Sequence, residues 1–343
     1  MQVSNRRIVY YDLLNILACF CVVCLHSNAM VHTYVPGLNW IGGLAIEVVC
    51  YWAVPIFFML SGANLMRYTD RYDTKTFFKK RFLKILIPYI SWSVFFYVLR
   101  FHSSGEFGLM QFLNLFMTNG IEGVYWFFFP LLSAYFSIPI LTLLSDNKKI
   151  LWYLVGLSFV LQGLCPVLFK LIGIPWNSSL NLAVCGGYII FVVLGYLLAN
   201  TVLEKSVRYI LYALGIGALL LRFFYTLFST INSGTLDRTM FGYTTFLGIL
   251  PAVAIFVFFK EFENKNSNSW IYGKAKLLAT VSGCSFGVYL IHELFIVDIL
   301  FNMLGVSPTS ILLRTVCPFL IYGISLLVIL TIKKIPILEK IVP

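Results

Sequence analysis

The chain has 343 residues, 60% of them apolar and only 11% charged, less than half the charged share of an ordinary soluble domain, so a soluble globular fold is excluded. A net charge of +11 would suggest nucleic acid in a soluble protein. Here the bases sit in short loops between apolar runs, the pattern of cytoplasmic membrane loops, and no nucleic-acid partner is expected.

Apolar runs long enough to cross about 30 Å of hydrocarbon recur along the whole chain. They predict helices at about 9–31, 41–66, 83–101, 124–144, 150–172, 181–200, 209–231, 242–260, 278–301 and 311–332. The expected fold is therefore all-α and integral to the membrane, a bundle of about ten transmembrane helices in one domain over 1–343. Arg6 and Arg7 precede the first run, which is too long for the core of a leader and shows no small-x-small cleavage site, so it reads as the first membrane helix. The eight cysteines all lie in apolar segments and read as packing residues, not disulfides or metal ligands; no metal is expected.

Twenty of the 25 Lys and Arg fall at the N-terminus, in alternate loops and at the C-terminus, which predicts a cell-membrane protein with both termini cytoplasmic. Residues 67–84 hold seven of those bases. Among the opposite connections, 102–123 is the long one and is partly amphipathic, suited to an interfacial helix.

Ionisable groups inside membrane helices are costly and mark function by default. At about 1.5 Å per residue, His26 lies roughly 25 Å, His292 roughly 21 Å and Arg222 roughly 20 Å from the cytoplasmic ends of their helices. Glu47 lies about 9 Å below the outer end of its helix, at a similar level. Glu293 follows His292 but points about 100° away on the helix. Asp12, Asn15, Cys19 and His26 form a polar stripe on one face of the first helix, and Ser282, Ser285, Tyr289 and His292 form another. Two such stripes suggest the walls of a polar cavity; the plainer reading of either histidine is an interhelical hydrogen bond. Lys79, Lys80, Arg81 and Lys84 immediately precede ILIPY. They read either as anchors to anionic lipid or as a cationic mouth that holds phosphates. Ser61 and Gly62, ending FFMLSG, would let backbone or a thin ligand approach closely.

These motifs together resemble the membrane acyltransferase-3 family, which O-acetylates sugars of bacterial surface polysaccharides. The resemblance runs through YYDLLNILACFCVVCLH (10–26), FFMLSG (57–62), KRFLKILIP (80–88), YWFFFPLLSAYFSIPI (125–140) and YLIH (289–292), in the family's order. It departs at Asn15, where the family has Arg or Lys, at Val124, where it has His, and at Lys84, where Arg is common. The resemblance implies acetyl-CoA as donor, a sugar or lipid-linked polysaccharide hydroxyl as acceptor, and work within the bilayer. It implies His26 as the essential histidine, acting as general base or as acyl relay, with Arg81 and Lys84 as the basic pair holding the CoA phosphates. Asp12 or Glu47 would orient His26, and Arg222 or His292 would stabilise developing charge. Two rival readings are a flippase for a lipid-linked saccharide and a membrane sensor without chemistry. The former would favour repeat-related broken helices, which do not stand out in the sequence.

Overall fold

The computed structural model describes residues 7–103, 105, 107–180, 182–265 and 270–342. Arg6, counted above among the terminal bases, lies outside them. The described residues are helical throughout, without strands. In chain order the helices are α1 (Val9–His26), α2 (Leu38–Cys50), α3 (Ala53–Leu65), α4 (Thr74–Arg81), α5 (Ile87–Phe101), α6 (Leu109–Met117), α7 (Phe128–Thr142), α8 (Lys148–Ser158) and α9 (Cys165–Leu171). They continue as α10 (Ile189–Ala199), α11 (Lys205–Ser233), α12 (Phe246–Lys265), α13 (Trp270–Gly273), α14 (Ala275–Ser282), α15 (Ser285–Glu293), α16 (Ile311–Thr315) and α17 (Cys317–Ile332).

Among the described residues, seven stretches are long and apolar enough to cross a membrane: Val9–His26, Leu38–Asp70, Thr74–Phe101, Gly123–Thr142, Lys148–Leu171, Lys205–Ser233 and Ala275–Met303. The chain is thus a multi-pass membrane protein. The three remaining positions of the expected ten hold shorter apolar helices, α10 and α17, and α12, whose last turns carry Lys260, Glu261 and Glu263.

Burial follows composition. Ile190 to Leu198 of α10 are buried on every face, as expected for a helix apolar all round that forms the centre of a bundle. The long α11 instead presents Leu214, Leu220, Phe224 and Phe228 outward, toward lipid. Glycine lets α10 and α3 touch backbone to backbone: a Cβ on Gly62 would lie 1.8 Å from the Val192 carbonyl oxygen, and one on Gly195 1.9 Å from that of Met59. Small residues at such a crossing bring membrane helices close enough for dispersion to hold them.

Two wide π-helical turns, Phe82–Leu86 and Phe159–Leu164, each lead into a proline, Pro88 and Pro166. A proline lacks the N–H for the regular bond and crowds the carbonyl four residues back. A wider turn relieves that clash, and the first one falls on the basic segment. The ends of the bundle are tied by charge. Glu263 of α12 accepts from the Val9 and Tyr10 amides at the start of α1 (3.2 and 2.7 Å), and Lys260 donates to the Leu198 and Thr201 carbonyls at the end of α10 (2.7 and 2.8 Å).

Candidate active site

The two polar stripes face each other. Asn15 Nδ2 donates to the Ser282 carbonyl (2.9 Å) and Oγ (3.0 Å), Cys19 Sγ meets the Ser285 carbonyl (3.3 Å), and His26 Nδ1 lies 2.6 Å from His292 Nε2. The sequence separations are 267, 266 and 266. A constant offset means that α1 and α14–α15 run side by side in the same direction.

The histidine pair has one consistent proton arrangement, assigned from its partners. His292 Nδ1 faces the Tyr289 carbonyl at 2.7 Å, and a carbonyl only accepts, so Nδ1 carries the hydrogen. In a neutral imidazole that leaves Nε2 as acceptor. His26 Nδ1–H therefore donates to His292 Nε2, and His26 keeps a bare lone pair on its own Nε2. The buried Glu293 completes the group, its Oε1 3.5 Å from His26 Nδ1 and 3.7 Å from His292 Nε2. One ligand atom from each of these three residues falls within 4.8 Å of the others. However, two imidazole nitrogens on a tetrahedral zinc, at about 2.0–2.1 Å each, would stand more than 3 Å apart, so 2.6 Å is hydrogen-bond geometry.

Beside this group runs a cavity of about 850 Å³, lined by Asp12, Asn15 and His26 of α1. Asp12 and His26 are fourteen residues apart in one helix, so the cavity spans about 21 Å. Cys50, just ahead of α3, lies against Cys24 near the end of α1, and α3 continues from there packed along α1; α3 therefore runs antiparallel to α1. Its far end delivers Arg71, Arg81 and Lys84 to the level of Arg7, and these four cations and Lys333 line that end. Trp126, Phe127, Tyr243 and Tyr289 line the cavity as well, and ring contacts running from His292 through Tyr289, Phe127 and Trp126 to Tyr243 put them at the His26 end. The latter wall is fixed by cross-bonds, Tyr125 Oη to the Leu290 carbonyl (2.8 Å) and Tyr289 Oη to the Val124 carbonyl.

At the basic end, Arg81 lines the cavity and its Nε is buried with no hydrogen-bond partner. Asp12 is held by a two-pronged pair with Arg7 (2.6 and 2.8 Å), and Lys333 Nζ donates to the Gly283 carbonyl (2.8 Å). Helix α4, which presents Arg81, starts at an Asp73 cap whose Oδ1 accepts from the Thr76 amide (2.9 Å). Hydrogen bonds from the Thr76 side chain and then its amide hold the Asp73 carboxyl below its ordinary range.

The other expected site residues are placed as follows. Ser61 lines the cavity, its Oγ bonded to the Phe57 carbonyl at 2.9 Å. Gly62 faces away, against α10. Lys80 lies 4.0 Å over the Tyr72 ring, off the cavity wall. Glu47 and Arg222 are buried at 5% and 1% exposure but do not line the cavity. Arg222 donates to the Met240 (3.0 Å) and Gly242 (3.3 Å) carbonyls and sits 4.1 Å over the Tyr51 ring. The shared depth of four groups thus resolves into one contacting pair, His26 with His292. Sequence reasoning set Glu293 aside as averted, and passed over Trp126 and Tyr243 as cavity lining and an ion triad in which Arg100 bridges Glu122 and Asp298, each at 2.7 Å. Their one visible signal was an acidic residue in or beside an apolar run, with nothing in the sequence to name its partner.

No curated protein and no solved structure matches the chain. The profile of the acyltransferase domain matches residues 8–333, taking in the whole of the cavity lining except Arg7. With the parallel polar seam, the paired histidines and the basic far end inside that span, the chain belongs to the acyltransferase-3 family.

Proposed function

We propose that the protein transfers an acetyl or other short acyl group from acetyl-CoA to a sugar hydroxyl of a cell-surface polysaccharide or its lipid-linked precursor. We read the chain as ten membrane crossings in the cell membrane with both termini cytoplasmic. The basic end of the cavity then opens to the cytoplasm and the histidine pair lies in the outer half of the bilayer.

One observation carries the reading: His26, whose Nε2 keeps its lone pair, lines one end of a cavity whose other end gathers five cations. A volume near 850 Å³ lies in the range that binds a drug-sized or larger ligand. Arg81, with its unsatisfied buried Nε, would hold phosphate oxygens together with Lys84, the former by a directed fork and the latter as a point charge. That placement leaves the narrow cavity between α1 and α3 for the pantetheine arm.

At the His26 end, Nε2 takes the proton of the acceptor hydroxyl as its oxygen bonds to the acyl carbon. The carbon–sulfur bond breaks, and the protonated His26 returns the proton to the departing thiolate. While His26 is charged, His292 Nε2 accepts from its Nδ1–H, and the Glu293 carboxyl 3.5 Å away offsets the charge when it gives up its proton. Asn15 at 2.9 Å from the Ser282 carbonyl fixes the register of the two helices that carry the pair.

The test compares O-acetyl signals by NMR in surface glycans from cells with the protein, without it, and with His26→Ala at equal membrane abundance. The signals should be present only in the first. Identical glycans in all three would overturn the reading.

A further inference from the structure

We propose that Trp126 and Tyr243 form the platform on which a pyranose ring of the acceptor lies, with its reacting hydroxyl toward His26; this rests on the function proposed above. Both residues line the cavity at its histidine end. Their rings are nearly parallel, 20° apart, with centroids 5.8 Å from each other. Full overlap would bring ring atoms to about 3.5–4.0 Å, so the two rings are offset and each leaves part of the other's face uncovered.

That surface is backed in depth. Tyr51 stacks behind Tyr243 at 4.2 Å and 10°, and the Arg222 guanidinium closes the stack 4.1 Å from the Tyr51 ring. Tyr188 supports Trp126 from the side at 5.9 Å. Arg222 is in turn pinned by the carbonyls of the loop that carries Tyr243. It is a positioning residue for the platform, which accounts for a fully buried cation that does not reach the cavity.

The polar atoms distinguish a saccharide from a lipid tail. Buried indoles of Trp40 and Trp92 each donate to a backbone carbonyl at 3.0 Å. The Trp126 indole N–H and the Tyr243 hydroxyl have no hydrogen bond to another described residue, neither atom is fully buried, and both residues line the cavity. An aromatic face with unsatisfied donors at its rim fits a ring that is apolar on its C–H face and hydroxylated around its edge. An acyl chain would leave those donors unpaired at a cost. The cations, by contrast, are gathered at the other end, so an uncharged ring is the class expected here.

The experiment uses the full chain in cells, with surface-glycan O-acetylation by NMR as one readout and CoA affinity of the purified protein as the other. Trp126→Ala should lower O-acetylation about tenfold, a stacking contact's worth, while the dissociation constant for CoA stays within about twofold. Arg222→Met should lower it in the same direction. Full O-acetylation in Trp126→Ala beside its loss in His26→Ala would overturn the platform and leave the reaction standing. No change in either variant would overturn the reaction itself. Should Trp126→Ala fail to reach the membrane, Tyr243→Phe keeps the ring and removes only the rim donor. About a threefold loss is then expected, and an unchanged signal counts against the platform.

Discussion

His26 Nδ1 lies 2.6 Å from His292 Nε2 with the two rings 14° from parallel and their centroids 4.9 Å apart, and the Tyr289 carbonyl sets the direction of the hydrogen bond between them. His292→Phe keeps the ring and removes the acceptor, so His26 is no longer held in one tautomer. The expected result is a kcat lower by roughly ten- to a hundredfold, the worth of one hydrogen bond to a charged group. CoA affinity should be retained. Glu293→Gln, which keeps shape and cannot ionise, should lower kcat about tenfold by the same reasoning. Equal rates in either variant count against the proton arrangement, as read from acyl transfer under saturating acetyl-CoA.

At the opposite end of the cavity, Arg81→Ala should weaken CoA binding by about ten- to a hundredfold, and Arg81→Lys by less, since charge remains but the fork is lost. The affinity of the unaltered protein should fall as salt rises. Calorimetry with CoA measures both, and unchanged affinity in Arg81→Ala refutes the phosphate role.

The contact of α3 with α10 makes a stability prediction independent of chemistry. Gly62→Ala and Gly195→Ala each force a methyl into a backbone carbonyl, an overpacking that costs about 1–3 kcal/mol or more. Gly156→Ala in α8, where a Cβ meets nothing within 4 Å, should be neutral or gain about 0.5–1 kcal/mol of helix propensity. Thermal unfolding in detergent orders the three, and a Gly62→Ala protein as stable as Gly156→Ala contradicts the close crossing.

Arg100→Met removes the shared cation of Glu122 and Asp298 and leaves two largely buried carboxylates facing each other. A loss of about 3 kcal/mol is expected. Adding Glu122→Gln and Asp298→Asn to Arg100→Met should recover part of it in the same unfolding measurement. If the triple variant is no more stable than Arg100→Met, the carboxylates are not the source of the loss.

The helices and the two polar stripes were legible because lipid enforces a simple rule: a polar residue in an apolar helix stands out, and spacings of three and four reveal its face. Height was legible too, and put His26 and His292 on one level. Azimuth was not. Glu47 and Arg222 share that level yet turn toward other neighbours, since a count of residues along a helix says nothing about which helix lies beside it. Gly62 was ambiguous for a related reason: a missing Cβ admits a ligand or a neighbouring backbone equally, and Val192 took the space. Glu293 looked averted because 100° on an ideal helix is a large angle. Its carboxylate nonetheless sits beside both imidazoles, because His26 comes from a second helix and fills the gap between them.

The in-register pairing of α1 with α14–α15 also carries a parity. Two parallel membrane helices must have an odd number of crossings between them. Five of the stretches long and apolar enough to span lie in that interval, which already satisfies the condition. Adding α10 alone, or α12 alone, would make the number even and force α15 to run the wrong way, pulling His292 from His26. Those two helices must therefore cross as a pair or not at all, and the backbone contact of α10 with the cavity-lining α3 makes the topology of this distant pair a condition for the histidines to meet.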